Sequence, residues 1–173
     1  MKNLSKDEIL LLIVGTIYTL ASGMATVFMN VYLYSFTESL IGMTTFTIFR
    51  IAMFPIMFTL NGKLFKKAKL GYPLAAGLIM MTCSYILLLS MQNSFAESPM
   101  LIYLIAVIFG AGEGSYWFTL NSLNQLATTK KSRGIFVSIQ GIVNGLANII
   151  APVTASILIS HSITDTEGYL TIF

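Results

Sequence analysis

Asn61-Gly62-Lys63-Leu64-Phe65-Lys66-Lys67-Ala68-Lys69 places four lysines between two long apolar stretches, Leu40–Leu60 before it and Tyr72–Met91 after it. A bilayer core takes about 20 mainly apolar residues per helix, so each flank is long enough to cross. The remaining basic residues repeat the pattern outward from this loop. Lys2 and Lys6 precede Ile9–Tyr34, and Lys130, Lys131 and Arg133 separate Met100–Leu123 from Ile135–Ser160. The alternate connections, Ser35–Ser39, Gln92–Pro99 and His161–Gly168, hold no Lys or Arg and carry Glu38, Glu97, Asp165 and Glu167. Lys and Arg accumulate in the cytoplasmic loops of multi-pass proteins. The alternation therefore predicts an all-α membrane protein, a polytopic transmembrane helix bundle with a cytoplasmic N-terminus. Its spans are 9–34, 40–60, 72–91, 100–123 and 135–160, and its surroundings are the lipid bilayer of the cell membrane.

Composition supports that class. The chain of 173 residues is 55% hydrophobic and 10% charged, with a mean hydropathy of +0.79. Soluble domains carry about 25% charged residues, so this chain lacks the polar surface to cover itself. Strands are excluded by run length and because backbone groups in lipid must be satisfied within each segment. The basic residues form no continuous face, which reads as orientation rather than nucleic-acid binding. The lone Cys83 offers no disulfide framework and no cysteine-based metal site. The apolar run after Lys6 continues to Tyr34, too long for a secretory signal, and is read as an uncleaved first span. Tyr169–Phe173 begin a sixth apolar run and stop. Five full spans plus the start of a sixth read as a fragment or a truncated reading frame. Pro55 and Pro152 fall inside runs and are expected to kink helices 2 and 5.

Polar residues recur at helical spacing. Gln140, Asn144 and Asn148 share one face of helix 5, with Gly141, Gly145, Ala147, Ala151 and Ala155 as a small-residue packing stripe. Helix 1 carries Thr19, Ser22, Thr26 and Asn30, and helix 4 carries Glu113, Trp117, Asn121 and Asn124. Such groups either join helices or line a water-accessible cavity, and stripes on separate helices favour the cavity.

Arg50 is the basic residue outside the clusters, about ten residues or roughly 15 Å from the outer end of helix 2. Glu113 is about thirteen residues or roughly 20 Å from the outer end of helix 4. Each charge costs at least ~2.5 kcal/mol at that depth and normally faces a partner or a wet cavity. Two readings follow. The residues form a pair that orders the bundle, or Glu113 titrates while Arg50 meets an anionic group. Gly110, Gly112 and Gly114 beside Glu113 allow close helix contact or local unwinding.

On these residues the chain resembles the N-terminal half of a major facilitator superfamily transporter, over five of the six helices of that half. Gly62, Leu64 and Lys67 match the family's cytoplasmic loop signature Gly-x-Leu-x-Asp-Arg-x-Gly-Arg, with Lys66 in place of the acid and Lys69 in place of the second glycine. Gly110-Ala111-Gly112 resembles the glycine part of the fourth-helix motif, without the arginine expected near Ala106. Ala147 through Ala155, including Ala151 and Pro152, is similar to the fifth-helix exporter motif Gly-x-x-x-Gly-Pro-x-x-Gly, with alanine at each glycine. Phe28–Leu33 and Gly112–Trp117 look most like a bacterial branch of the superfamily about which little is known.

The resemblance implies half of a twelve-helix transporter fold and secondary transport of a small solute, with proton-coupled efflux by antiport as one form. The partner it implies is the missing C-terminal half. Asn30, Arg50, Glu113, Trp117 and Asn144 are the substrate-cavity candidates, and Glu113 the proton-coupling candidate. No cofactor is implied. The alternatives are a non-transporting assembly subunit and an inactive truncated fragment. An enzyme is not expected, because the single histidine, His161, lies at the outer end of helix 5 with no nearby partner beyond Asp165 and Glu167, and no helix carries paired acids.

Overall fold

A computed structural model describes residues 4–65, 69–91, 99–161 and 172. Among them are five α-helices, α1 Lys6–Thr37, α2 Leu40–Leu64, α3 Gly71–Ser90, α4 Pro99–Ala127 and α5 Arg133–Ser160. All five are long and apolar enough to cross a membrane. Lys2, Lys66, Lys67, Glu97, Asp165, Glu167 and the expected start of a sixth span from 169 lie outside the described residues, Ile172 apart. Pro55 and Pro152 sit inside unbroken helices.

α1 overruns its apolar run at both ends, where polar residues cap it. At the start of α1 the Ser5 hydroxyl accepts from the Glu8 amide at 3.2 Å, while Glu8 Oε2 accepts from the Ser5 amide at 2.7 Å. This reciprocal capping box satisfies amide donors that have no partner within the helix. Glu38 closes the other end in the left-handed region (φ 47°), its amide bonded to the Tyr34 carbonyl at 2.9 Å. Ser39 then caps α2, accepting from the Gly42 amide at 3.1 Å. The α1–α2 connection is thus two residues, Glu38 and Ser39. At its far end α2 continues through Lys63 and Leu64, which corrects one expectation. Gly62 and Leu64 belong to the last turn of a helix and not to a loop.

The chain divides into two compact units. The first comprises Met1–Met29 and Leu123–Phe173. Here α1 and α5 approach where Gly23 meets Ala151, with a Cβ on Gly23 coming within 2.9 Å of the Ala151 Cβ. A Cβ on Gly15 would lie 3.9 Å from Gln140 Nε2. Ala147, Ala151 and Ala155 are buried and Pro152 is half-buried. Gly141 and Gly145 depart from the expected packing stripe. Both are exposed, and a Cβ on either would meet nothing within 4 Å. Arg133 closes the α4–α5 turn, its Nε donating to Thr128 Oγ1 at 3.1 Å and its Nη2 to the Gln125 carbonyl at 3.3 Å. A cation bonded to the Gln125 carbonyl in the last turn of α4 also complements that helix's dipole.

The second unit is Asn30–Ser122. Its centre is α4, with 56% of its apolar window buried against 28% or less for the other helices. Small residues explain how α4 attains this. A Cβ on Gly77 would lie 2.7 Å from the Gly112 carbonyl oxygen, so α3 and α4 cross with their backbones in contact. On another face a Cβ on Gly110 would run into the Arg50 carbonyl, and one on Gly114 would lie 2.5 Å from the Phe54 carbonyl oxygen. Hydrophobic drive between helices is absent in lipid, so close packing and hydrogen bonds hold them together. The buried Asn61 Nδ2 donates to Ser115 Oγ at 2.9 Å, and Tyr32 donates to the Leu88 carbonyl at 3.2 Å. α4 is uninterrupted through Gly110, Gly112 and Gly114. Close contact, rather than local unwinding, is what these glycines provide.

Candidate functional site

Arg50 on α2 and Glu113 on α4 form a two-point ion pair within the second unit. Arg50 Nε donates to Glu113 Oε2 at 2.7 Å, and Nη2 to Oε1 at 2.6 Å. The side chains are 17% and 15% exposed. Side-on pairing of this kind uses the planar guanidinium fork and is among the stronger charge-assisted geometries. The Arg50 Cζ also lies 4.6 Å from the centroid of the Phe109 ring, which sits one turn before Glu113. Tyr85 from α3 meets Phe109 edge-on at 5.0 Å, closing that side.

The pair is held by backbone as well as by charge. Gly110 abuts Arg50 itself, and Gly114 abuts Phe54 one turn later, so α2 and α4 touch on both sides of Glu113. An open cleft of about 540 Å³ adjoins it, lined by Thr47, Arg50, Ile51, Phe54, Pro55 and Glu113. Thr47 Oγ1 donates to the Met43 carbonyl at 3.1 Å and lies 3.4 Å from Asn30 Oδ1. Asn30 therefore joins the cluster through Thr47.

Trp117 is half-buried one turn beyond Glu113, its ring edge-on to Tyr116 at 5.7 Å. Asn144 belongs to the first unit and is half-buried on α5. The other striped polar residues are mostly satisfied inside their own helices. Thr19, Ser22 and Thr26 donate to the Gly15, Thr19 and Ser22 carbonyls, and Asn121 Nδ2 to the Trp117 carbonyl. His161 is exposed at the end of α5, its Nδ1 2.9 Å from the Ile157 carbonyl oxygen.

Sequence reasoning missed Thr47, Phe54, Tyr85 and Phe109. Helical spacing carried a signal for two of them. Thr47 precedes Arg50 by three residues and Phe109 precedes Glu113 by four, so each shares a face with its charge. Tyr85 has no such signal, because its place depends on how α3 crosses α4. Chemically the cluster can hold a charge pair, exchange a proton at Glu113, or offer the Arg50 fork to another anion.

No family model matches the chain, and no solved structure matches it. Among curated proteins it is 30% identical over 171 residues to "Uncharacterized protein YqgE" of Bacillus subtilis (strain 168), covering 99% of this chain and 39% of that protein. It is 26% identical over 172 residues to "Uncharacterized protein in sodM 3'region" of Geobacillus stearothermophilus, covering 99% of this chain and 78% of that one. The chain thus spans well under half the length of the Bacillus relative.

Proposed function

We propose that this chain is the N-terminal part of a secondary transporter of the major facilitator type, moving a small solute across the cell membrane with Glu113 as its proton-exchanging group. The observation that carries the reading is the Arg50–Glu113 pair, on two helices able to span a membrane and beside a cleft of about 540 Å³. Ligand sites commonly enclose about 300–1,000 Å³, with mostly apolar walls and few polar groups. A purely structural tie has no need of an adjoining cleft, and replacing a buried pair with apolar residues is often neutral or stabilising by about 1–4 kcal/mol. In lipid an ionisable pair beside a cavity is by default a pathway element. Transport by the whole protein then requires the polypeptide beyond this chain, with the solute held between the two halves as they rock.

A second reading has its own support. The glycine contacts at Gly110 and Gly114 hold α2 and α4 rigidly, as a fastener or assembly surface requires. Proteoliposomes containing the full-length protein and a lumenal pH dye separate the two. Challenged with organic acids, organic cations and sugars, wild type gives a solute-evoked pH change that Glu113→Gln lacks. The same response from both proteins removes the coupling role, and no response from wild type removes the transport reading.

A further inference from the structure

Arg50 and Glu113 are chemically unequal, and that inequality constrains the guest. Glu113 can be neutralised by a proton. Arg50 cannot lose its own within any accessible pH. When the pair opens, the charge left behind is therefore positive. It is also fixed in place, because the guanidinium lies over Phe109 at 4.6 Å and the Arg50 backbone abuts Gly110.

The glycine contacts leave side-chain exchange, rather than separation of α2 from α4, as the way to open the pair. With Gly110 against Arg50 and Gly114 against Phe54, α2 and α4 have no slack between them on either side of Glu113. The pair then opens by exchange of partners, in which Glu113 takes a proton and another acceptor takes the guanidinium. A cationic guest is disfavoured on the same ground. Drawing Glu113 away to a cation would strand Arg50, which has no neutral form to retreat to. The fork geometry now used by Glu113 suits a carboxylate, which presents two oxygens at the same spacing. Ile51, Phe54 and Pro55 supply apolar walls to the cleft from the same helix as Arg50.

We propose that the cleft binds a small amphipathic carboxylate, whose head replaces Glu113 on Arg50 while Glu113 takes up one proton. This rests on the transport reading above and adds to it the substrate class and the coupling sign, with proton and anion bound together. The titratable groups facing Glu113 are Arg50 from α2 and Tyr85 from α3, and Asn30 on α1 contributes an uncharged side chain through Thr47. By linkage, a proton that favours anion binding is itself bound more tightly when the anion is present.

The test is equilibrium binding to the full-length protein in lipid nanodiscs. It is read by isothermal titration calorimetry. The probes are acetate, benzoate, citrate and phosphate, with tetraphenylphosphonium as the cationic comparison. Wild type is expected to bind benzoate more tightly as pH falls, by up to about tenfold per pH unit for one coupled proton. Glu113→Gln is expected to bind it tightly at every pH, and Arg50→Gln not at all. Circular dichroism confirms that each variant is folded, and the wild-type pH series stands if either is not. Anion binding that ignores pH and Glu113, absence of binding across all four anions, or a preference for tetraphenylphosphonium each overturns the proposal. Its failure is separable from that of the transport reading. Solute-evoked pH changes with cations or sugars in proteoliposomes would uphold transport and reject the carboxylate, whereas anion binding without flux would do the reverse.

Discussion

Adding one methyl group at Gly110 tests how the site is built, because the structure gives that methyl nowhere to go. A Cβ there would lie 2.8 Å from the Arg50 carbonyl carbon and 2.9 Å from its Cα. Carbon pairs settle at about 3.5–4.0 Å, so α2 must retreat by roughly 0.6 Å or more. Backbone cannot rotate aside as a flexible side chain could. The shift carries Arg50 with it and stretches bonds of 2.6 and 2.7 Å toward the upper limit of about 3.2 Å. Overpacking costs about 1–3 kcal/mol, and a hydrogen bond to a charged group contributes about 1.5–3 kcal/mol. Gly110→Ala should therefore lose about 2.5–6 kcal/mol, a drop in Tm of roughly 5–24 °C for a chain of this size. Gly141→Ala is the matched control. Its Cβ meets nothing within 4 Å, so the same change should be neutral or up to about 1 kcal/mol stabilising through helix propensity. Thermal unfolding of both variants in one detergent gives the comparison. A Gly110→Ala protein within about 0.5 kcal/mol of wild type would refute the backbone contact and the rigid scaffold inferred from it.

Three further outcomes follow from individual contacts. Asn61→Ala leaves the buried Ser115 hydroxyl without its 2.9 Å donor, and should cost about 1–3 kcal/mol in the same unfolding assay. Glu38→Gly removes a side chain from a left-handed residue at φ 47°, and should raise stability by about 1 kcal/mol. Ala151→Leu forces a large side chain against Gly23 in the α1–α5 contact, where a single added Cβ would already stand at 2.9 Å. It should cost about 1–3 kcal/mol, with Gly145→Leu on the exposed face costing far less.

Long-range order was legible where composition speaks for it. Lysine clusters and apolar runs located all five helices, since burial of backbone in lipid admits little else. Helix ends were less legible. α1 extends to Lys6 because Ser5 and Glu8 cap it, and α2 runs through Gly62 and Leu64 because nothing in Asn61–Leu64 breaks a helix. Packing was least legible. Gly110/Gly114 and Gly141/Gly145 have the same spacing, yet the first pair presses on α2 and the second meets nothing within 4 Å. Local sequence states that a close approach is permitted, and the crossing of the neighbouring helix decides whether it occurs. The same holds for the site. Depth arithmetic put Arg50 and Glu113 at similar levels, but Phe109 and Tyr85 became partners only through the crossing of α3 and α4.

The central claim is that Glu113 changes protonation state while Arg50 does not. Infrared difference spectroscopy of the lipid-reconstituted full-length protein, recorded on acidification in the presence of benzoate, measures that directly, with Glu113→Gln subtracted to remove the other carboxyl groups. The account predicts a protonated-carboxyl signal in wild type, matched by loss of carboxylate, that Glu113→Gln lacks. Identical spectra from the two proteins would contradict it and leave the Arg50–Glu113 pair as a permanent fastener.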